Sequence, residues 1–325
     1  AARELAEKEG LDGVFTAGTD FSYTVARVAE ALDLPGIPPR VALSAIDKVL
    51  MRKVFEEKGI PAPPFVRVEP GDDVREKSSR LSFPLVVKPV DNMGARGVRR
   101  VDTSMELRNA LEEARSNSHS GNVIIEEYIE GPEFSIDALV EKGKVTITGF
   151  ADRIIRFSPF FVEMGHTLPS ESEPSLRKMI EKTFIDAIHA LGITDGAAKG
   201  DVKWNGRRAV VGEVAARLSG GYMSGWTFPY ATGVDLTGAA LNISVGLPAG
   251  NLEPQWAKVS AERAFISIPG TVESVEGTQE ARAMPEVKEF FLRVSAGDEV
   301  CFPTNNVEKC GNVIAVDEVR ERACE

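Results

Sequence analysis

The stretch Phe83-Pro84-Leu85-Val86-Val87-Lys88-Pro89 constrains the fold more than any other part of the chain. It reads as an apolar strand that ends on a lysine, and an ammonium there is costly to bury unless an anion meets it. A lysine that snorkels to solvent would fit the same residues. The continuation narrows the choice. Asp91-Asn92-Met93-Gly94-Ala95-Arg96-Gly97-Val98 carries two glycines and returns to a strand, and glycines let backbone N–H groups turn toward a phosphate without a Cβ clash. A strand lysine followed by such a loop describes a flap over a triphosphate, with an ordinary hairpin turn as the plainer alternative. It is not a P-loop, because no Gly-Lys-Ser/Thr opens a helix.

The periodicities around this centre outline four units. Residues 1–43 read as a helix (Ala1 to Glu9), a strand (Leu11 to Thr16), the turn Ala17-Gly18-Thr19-Asp20 and a helix (Phe21 to Leu32), closed by Leu34-Pro35-Gly36. That is αβα wrapping of a parallel sheet, a partial Rossmann-like unit. One strand makes no sheet, so further strands are expected from a missing N-terminal piece or a partner, and a homodimer is compatible with such an edge. Residues 44–127 open with a helix from Ser44 to Lys58, with Ser44 as N-cap and Asp47 at N3, ended by Gly59-Ile60-Pro61. A proline-rich connector, Pro61 to Pro70, leads to a β-loop-β-α-β lid whose helix runs from Ser104 to Arg115 and whose last strand starts at Asn122. Residues 128–250 hold antiparallel strands around Glu141-Lys142-Gly143-Lys144 and a helix from Pro174 to Leu191. The strands Gly196 to Trp204 and Ala209 to Val214, then a helix from Asp235 to Val245, complete that unit. Residues 251–325 are mostly strands and turns.

Charge and cysteines exclude several classes. The formal charge is −11, with acids and bases interspersed, whereas a nucleic-acid binder would show a basic face. Cys301, Cys310 and Cys324 form no CxxC pair and have no histidine nearby, which reads as reduced thiols in a cytoplasmic protein without a zinc site. No segment approaches the ~18 apolar residues of a membrane span, and no secretory signal opens the chain.

Further candidates lie downstream. Val123-Ile124-Ile125-Glu126-Glu127-Tyr128-Ile129 is an apolar strand running into two acids; it reads either as an ordinary strand exit or as a hinge whose backbone meets adenine, with Glu133 reaching the ribose. Asp201 and Glu213 flank Asn205-Gly206 on adjacent strands. A two-residue turn would set Asp201 opposite Val210; a four-residue loop, Asn205 to Arg208, would set it opposite Gly212. Neighbouring residues point to opposite faces, so a bulge at Gly212 or Gly200 is needed to bring both carboxylates to one site. Two acids suffice for Mg²⁺ shared with a nucleotide. Arg217, just before Leu218-Ser219-Gly220-Gly221, offers a fork of donors to a phosphoryl oxygen or a carboxylate. His166 is read in a loop facing substrate, and His189 as a structural helix residue.

The ordered set resembles the ATP-grasp superfamily. The resemblance is carried by Asp47-Lys48, by Pro84 to Pro89 with the Gly94 to Gly97 loop, by Glu126-Glu127-Tyr128-Ile129-Glu130-Gly131-Pro132-Glu133 and by Glu213-x-x-x-Arg217. Glu213 to Gly221, Gly165-His166 and Pro169-Ser170 are similar to the L-amino-acid ligase branch. Ile268-Pro269-Gly270, Gly297-Asp298 and Asn305-Asn306-Val307 resemble the C-terminal region it shares with biotin carboxylase-like enzymes. The resemblance implies an ATP-grasp fold, α+β or α/β, with two subdomains gripping ATP. Lys48, Lys88 and the loop Gly94, Ala95, Arg96 and Gly97 would hold phosphates, and Glu126, Glu127, Tyr128, Ile129 and Glu133 the nucleoside. Asp201 and Glu213 would hold Mg²⁺, or Mn²⁺ in its place. Arg217 would meet the transferring phosphoryl group, and His166, Gly220 and Gly221 the substrates. Ala215 stands where many members carry Asn, and Asp201 where many carry Glu. The implied activity is a carboxylate–amine ligase acting through an acyl phosphate on an amino acid or similar small carboxylate. A purine-biosynthesis or carboxylase-type enzyme and an ATP-binding regulator without turnover are the competing readings.

Overall fold

The computed structural model describes residues 1–325. Two sheets dominate it. The smaller is antiparallel, built from β1 (Phe65–Val68), β2 (Leu85–Pro89), β3 (Arg99–Val101) and β4 (Val123–Glu127) in the order β1-β4-β2-β3. The larger draws on β5 (Glu133–Glu141), β6 (Lys144–Arg156), β7 (Val162–Leu168), β8 (Gly196–Trp204), β9 (Ala209–Ala215) and β10 (Val259–Phe265). Beyond these, β11 (Gly270–Thr271) pairs with β13 (Glu299–Val300), while β12 (Val287–Leu292) and β14 (Gly311–Asp317) extend the large sheet. Its order is β12-β14-β10-β7-β6-β5-β8-β9, so the C-terminal strands continue the sheet that carries the metal candidates.

Helices cover the sheets. In chain order they begin with α1 (Ala2–Glu9), α2 (Ser22–Ala31), α3 (Pro39–Ser44), α4 (Lys48–Lys58), α5 (Val74–Ser78), α6 (Leu107–Ser116), α7 (Pro174–Leu191), α8 (Phe228–Thr232) and α9 (Leu236–Ser244). On one face of the large sheet, Met51 and Phe55 of α4 and Phe184 and Ile188 of α7 pack on Ile136, Val202 and Val211. On the other, Phe228, Leu236 and Ile243 pack on Leu139 and Ala197. The small sheet buries Val66, Leu85 and Val87 against Leu107 and Leu111 of α6. Each such side chain contributes roughly 1.5–3 kcal/mol on burial. A cleft of about 590 Å³ lies between the two sheets.

Three local expectations need correction. Leu11 to Thr16 is not a strand, because the chain offers it no strand to pair with; it passes so close to the end of α9 that a Cβ on Gly13 would overlap the Ser244 carbonyl. Ser44 does not cap α4. Asp47 does, accepting from Val49 N–H at 2.8 Å and Leu50 N–H at 3.0 Å, while Ser44 ends α3 with its hydroxyl donating to Arg40 O. The Pro61 to Pro70 connector contains β1, whose Val66 and Val68 alternate inward and pair with β4.

The register question is answered in favour of the longer loop. Trp204 faces Ala209, Lys203 faces Val210 and Val202 faces Val211. The ladder then shifts, so that Asp201 faces Glu213 and Gly200 faces Val214. Gly212 is the extra residue of the bulge, and a bulge turns neighbouring side chains to a common side.

Candidate active site

The helix opening at Lys48 supplies the first cation. Its ammonium donates to Asn92 O at 2.9 Å and lies 3.1 Å from Glu213 Oε1. One turn on, Arg52 is only 1% exposed; its Nε meets Glu126 Oε1 at 2.7 Å and its Nη2 donates to the Gly212 carbonyl at 2.5 Å. Arg52 therefore ties the small sheet to the bulge that aims Glu213. The sequence carried a faint sign of it, since positions 48 and 52 share a helix face.

Lys88 ends β2 with its ammonium 2.5 Å from Glu126 Oε2. Burial pulls the Lys88 ammonium down from its ordinary value, with Glu126 opposing. Burial likewise pushes the Glu126 carboxyl up, but Arg52 and Lys88 outweigh it and hold the group low. The Glu126 carboxylate, expected at adenine, is thus engaged beneath Lys88 as its counter-ion. A nucleobase would have to meet its neighbours. Glu127, Tyr128 and Ile129 line the cleft, and Ile129 N–H donates to no protein acceptor while its carbonyl takes a bond from Lys203 Nζ at 3.1 Å. Arg100 and Lys203 sit 4.6 and 4.5 Å from the Tyr128 ring centre.

The glycine loop bends through left-handed backbone at Gly94, Ala95 and Gly97, with φ of 68°, 59° and 66°. The Asn92 side chain accepts from Met93 N–H and from Arg96 Nε and Nη2, which folds Arg96 back over the loop. Gly94, Ala95 and Arg96 line the cleft; Gly97 lies behind them against Asn117.

Asp201 and Glu213 face one another across the bulge. Asp201 is met by Lys199, by Arg153 Nη1 at 2.9 Å and by Ser135 Oγ at 3.1 Å. Burial pushes the Glu213 carboxyl up, but Lys48, Lys199, Lys88 and Arg217 together hold it well below the usual carboxylate range. Two carboxylates of hard oxygen fit Mg²⁺, which takes one or two from protein and the rest from phosphates and water. No group of three or more metal-ligating side chains is present, and Ala215 supplies no oxygen, so the fit is to an ion held jointly with a nucleotide.

Arg153, Lys199 and Lys203 were not anticipated. Arg153 Nη1 meets Glu133 and Asp201, and its Nη2 meets Glu163 at 2.8 Å. Glu133 therefore faces the cleft already paired to Arg153 and Lys203. Lys199, Asp201 and Lys203 alternate on β8, a period-two signal that was open to reading from the sequence.

Arg217 is fixed at two points. Its Nε donates to Asp20 Oδ1 at 2.8 Å and its Nη1 to Leu218 O at 3.0 Å. The following loop rests on Asp137, which accepts from the Ser219 and Ser224 hydroxyls, each at 2.6 Å. Gly220 touches Gly18 so closely that neither has room for a Cβ. Gly220 and Gly221 both line the cleft. His166 is not on a loop. It sits within β7, hydrogen-bonded to strands on both sides, and is 1% exposed. Its Nε2 is 2.7 Å from Thr227 Oγ1 and its Nδ1 3.5 Å from Glu262 Oε2. His189 lies on α7 near Gly143 O, outside the cleft.

All the predicted site residues except Gly97 therefore line one cleft, and Lys48, Lys88, Asp201, Glu213 and Arg217 converge in it. No helix is long and apolar enough to cross a membrane.

Comparison with known proteins agrees with the ATP-grasp fold. Residues 81–225 match the ATP-grasp domain family, and residues 264–325 match L-amino acid ligase C-terminal domain 2. The crystal structure of an L-amino acid ligase from Bacillus licheniformis superposes with a TM-score of 0.85 at 26% identity, over 98% of this chain and 79% of that one. An uncharacterized protein, y4rH, of Sinorhizobium fredii is 24% identical over 324 residues, 98% of this chain and 66% of its own length. A D-alanine--D-alanine ligase of Pseudomonas putida is 32% identical over 112 residues, 34% of this chain and 35% of that protein. The chain thus spans about two thirds of the first curated relative and about a third of the second.

Proposed function

We propose that this chain, an ATP-grasp protein with an L-amino acid ligase C-terminal domain, is an ATP-dependent carboxylate–amine ligase acting on an amino acid or similar small carboxylate. The observation that carries the reading is the meeting of Lys48 and Lys88 with the opposed carboxylates Asp201 and Glu213 in one cleft. The γ-phosphoryl of ATP would be attacked by the substrate carboxylate, releasing ADP and leaving an acyl phosphate. The amine then attacks the acyl carbon and inorganic phosphate departs. Phosphoryl transfer leaves little covalent work for protein groups, so positioning and charge neutralisation dominate.

Lys48 and Lys88 bind and neutralise the phosphates, each held in place by its own carboxylate. Arg217, oriented by Asp20, offers its remaining donors to the phosphoryl or carboxylate oxygens. The glycine loop covers the site and excludes water, which would hydrolyse an acyl phosphate. Asp201 and Glu213 would hold the Mg²⁺, whose contribution is to offset charge on the phosphates.

The test is ADP release from ATP and Mg²⁺ across a panel of amino acids, with products read by mass spectrometry. Amine-dependent ADP release with an amide product supports the ligase. ATP binding without any amine-dependent release would point instead to a regulator, and a phosphoribosyl or bicarbonate-derived product to the carboxylase type.

A further inference from the structure

The two facing carboxylates of the cleft are unequally free. Glu213 keeps 30% of its side chain exposed and meets one cation, Lys48, at ion-pair distance. Asp201 keeps 10% and is engaged at both oxygens. Its Oδ1 accepts from Ser135 Oγ at 3.1 Å, and its Oδ2 meets Arg153 Nη1 at 2.9 Å and the Lys199 ammonium. Two carboxylates with a triphosphate can hold either a single divalent ion or a pair of ions roughly 3.5–4 Å apart. The surroundings of Asp201 decide between the two.

Lys199 stands two residues before Asp201 on β8, so both side chains project from the cleft face. The ladders set Ala215 of β9 beside it on one side and Asp137 of β5 on the other, and residues directly opposite one another share a face. Ala215 offers no oxygen. Asp137 gives its oxygens to the Ser219 and Ser224 hydroxyls, each at 2.6 Å. The Lys199 ammonium is therefore left with one hydrogen-bond partner, Asp201 Oδ2, and it lines the cleft half-buried. Among the cations acting on Glu213 it comes second only to Lys48. A divalent ion arriving on Asp201 Oδ2 would be repelled by this ammonium. Displacing it would leave a partly desolvated cation without its carboxylate, which is strongly unfavourable.

We infer that the cleft takes a single divalent ion with its nucleotide rather than a pair, and that Lys199 supplies the fixed positive charge a second ion would otherwise bring. The inference rests on the nucleotide and Mg²⁺ part of the proposed function, and not on its amine or its carboxylate. The single ion belongs at the more open acid, Glu213, with Asp201 as its second carboxylate. Lys199 stays against the far oxygen of Asp201 and faces the phosphates from there. A tethered ammonium does not dissociate, so this charge is present at any concentration of free Mg²⁺. Ala215 fits the same division, because the position beside Lys199 has no ion to hold.

The experiment titrates Mn²⁺ into the protein with a non-hydrolysable ATP analogue held below the chain concentration. Electron paramagnetic resonance counts the bound ions and shows whether neighbouring ions couple. The unaltered protein is expected to bind about one Mn²⁺ per analogue, without spin coupling. The double variant Lys199→Met with Ala215→Asn removes the ammonium and adds an oxygen on the cleft face. It should bind about two, with the exchange-broadened spectrum of ions roughly 3.5–4 Å apart. Lys199→Arg keeps the charge and should stay at about one. Two coupled ions in the unaltered protein overturn the inference whether or not the variants fold, and so does no nucleotide-dependent Mn²⁺ binding at all. A folded double variant that still takes one ion also overturns it. ADP release with ATP and amino acids is read separately. One uncoupled ion with no amine-dependent release would leave the inference standing and remove the ligase. Two coupled ions with amine-dependent release would do the reverse.

Discussion

The backbone N–H of Asn306 donates to the Gly94 carbonyl at 3.0 Å, so the C-terminal region latches the glycine loop. The same asparagine's Oδ1 accepts from Glu163 N–H at 2.8 Å. One residue therefore touches both the glycine loop and β7, the strand that carries Glu163. A second contact, Arg100 N–H to Pro159 O at 2.8 Å, holds the flap from β3.

Asn306→Ala removes the bond to Glu163 that fixes the latch. A looser flap admits water to the acyl phosphate. ADP release without amine is expected to rise by roughly 5-fold or more relative to amine-dependent release; an unchanged ratio would show that the latch does not govern closure.

Lys88→Ala and Glu213→Ala each remove a charge that the proposed phosphate site depends on. Turnover, measured as ADP release at saturating substrates, should drop at least ~100-fold in both. Near-normal turnover in both variants would dismiss the mechanism.

Asp20 touches Arg217 and no reacting group, so it acts by orientation. Asp20→Asn keeps the shape and weakens a charge-assisted bond of about 1.5–3 kcal/mol. We expect kcat to fall by roughly 10-fold or more, with little change in KM for ATP, whose phosphates we assign to Lys48 and Lys88. A rise in KM for ATP with unchanged kcat would contradict that assignment.

Burial pushes the Glu163 carboxyl up, yet Arg153, His166, Lys199 and Lys309 outweigh it and hold the group near a pKa of about 2, against an ordinary 4.5. A carboxyl depressed in the folded state stabilises the fold above its unfolded value and loses that contribution as pH falls toward the folded one. Stability from Glu163 is thus full above about pH 4.5 and declines between there and pH 2, by up to about 3 kcal/mol. Urea unfolding at pH 5 and pH 3 should show a smaller drop in Glu163→Gln than in the unaltered protein; equal drops would refute the linkage.

Gly200 lies under the Phe184 ring, which is fully buried in the core between α7 and β8. A Cβ there forces the ring or the strand to move. Gly200→Ala should cost about 1–3 kcal/mol, read from the urea midpoint. No shift in midpoint would mean that the core yields more easily than its packing indicates.

Much of the fold was legible because it rests on local pattern. The 3.6-residue periodicity of Pro174–Leu191 and its glycine stop give α7 end to end. The apolar run into Lys88 marks β2, and the glycines after it mark the loop. The β1 strand was obscured by flanking prolines, since its identity depends on pairing with β4, nearly sixty positions away. Arg52, Arg153 and Asp20 were missed for a related reason. A lone charged residue reads as solvated surface until a distant element brings its partner, as Glu126 does for Arg52 and Arg217 for Asp20.

The sequence by itself determined which residue types were available and which face of each element they occupy. It placed Lys88 at a strand end, set Lys199, Asp201 and Lys203 on one face of β8, and narrowed the Asp201–Glu213 pairing to two registers. Tertiary structure alone chose the four-residue loop and the Gly212 bulge, because register depends on how both strands bury their apolar faces against α7 and α4. It alone also decided which charges were neutralised within the protein and which, like Arg96, were left facing the cleft without a carboxylate. Ion pairing depends on distances of a few ångströms between residues that the chain order holds far apart.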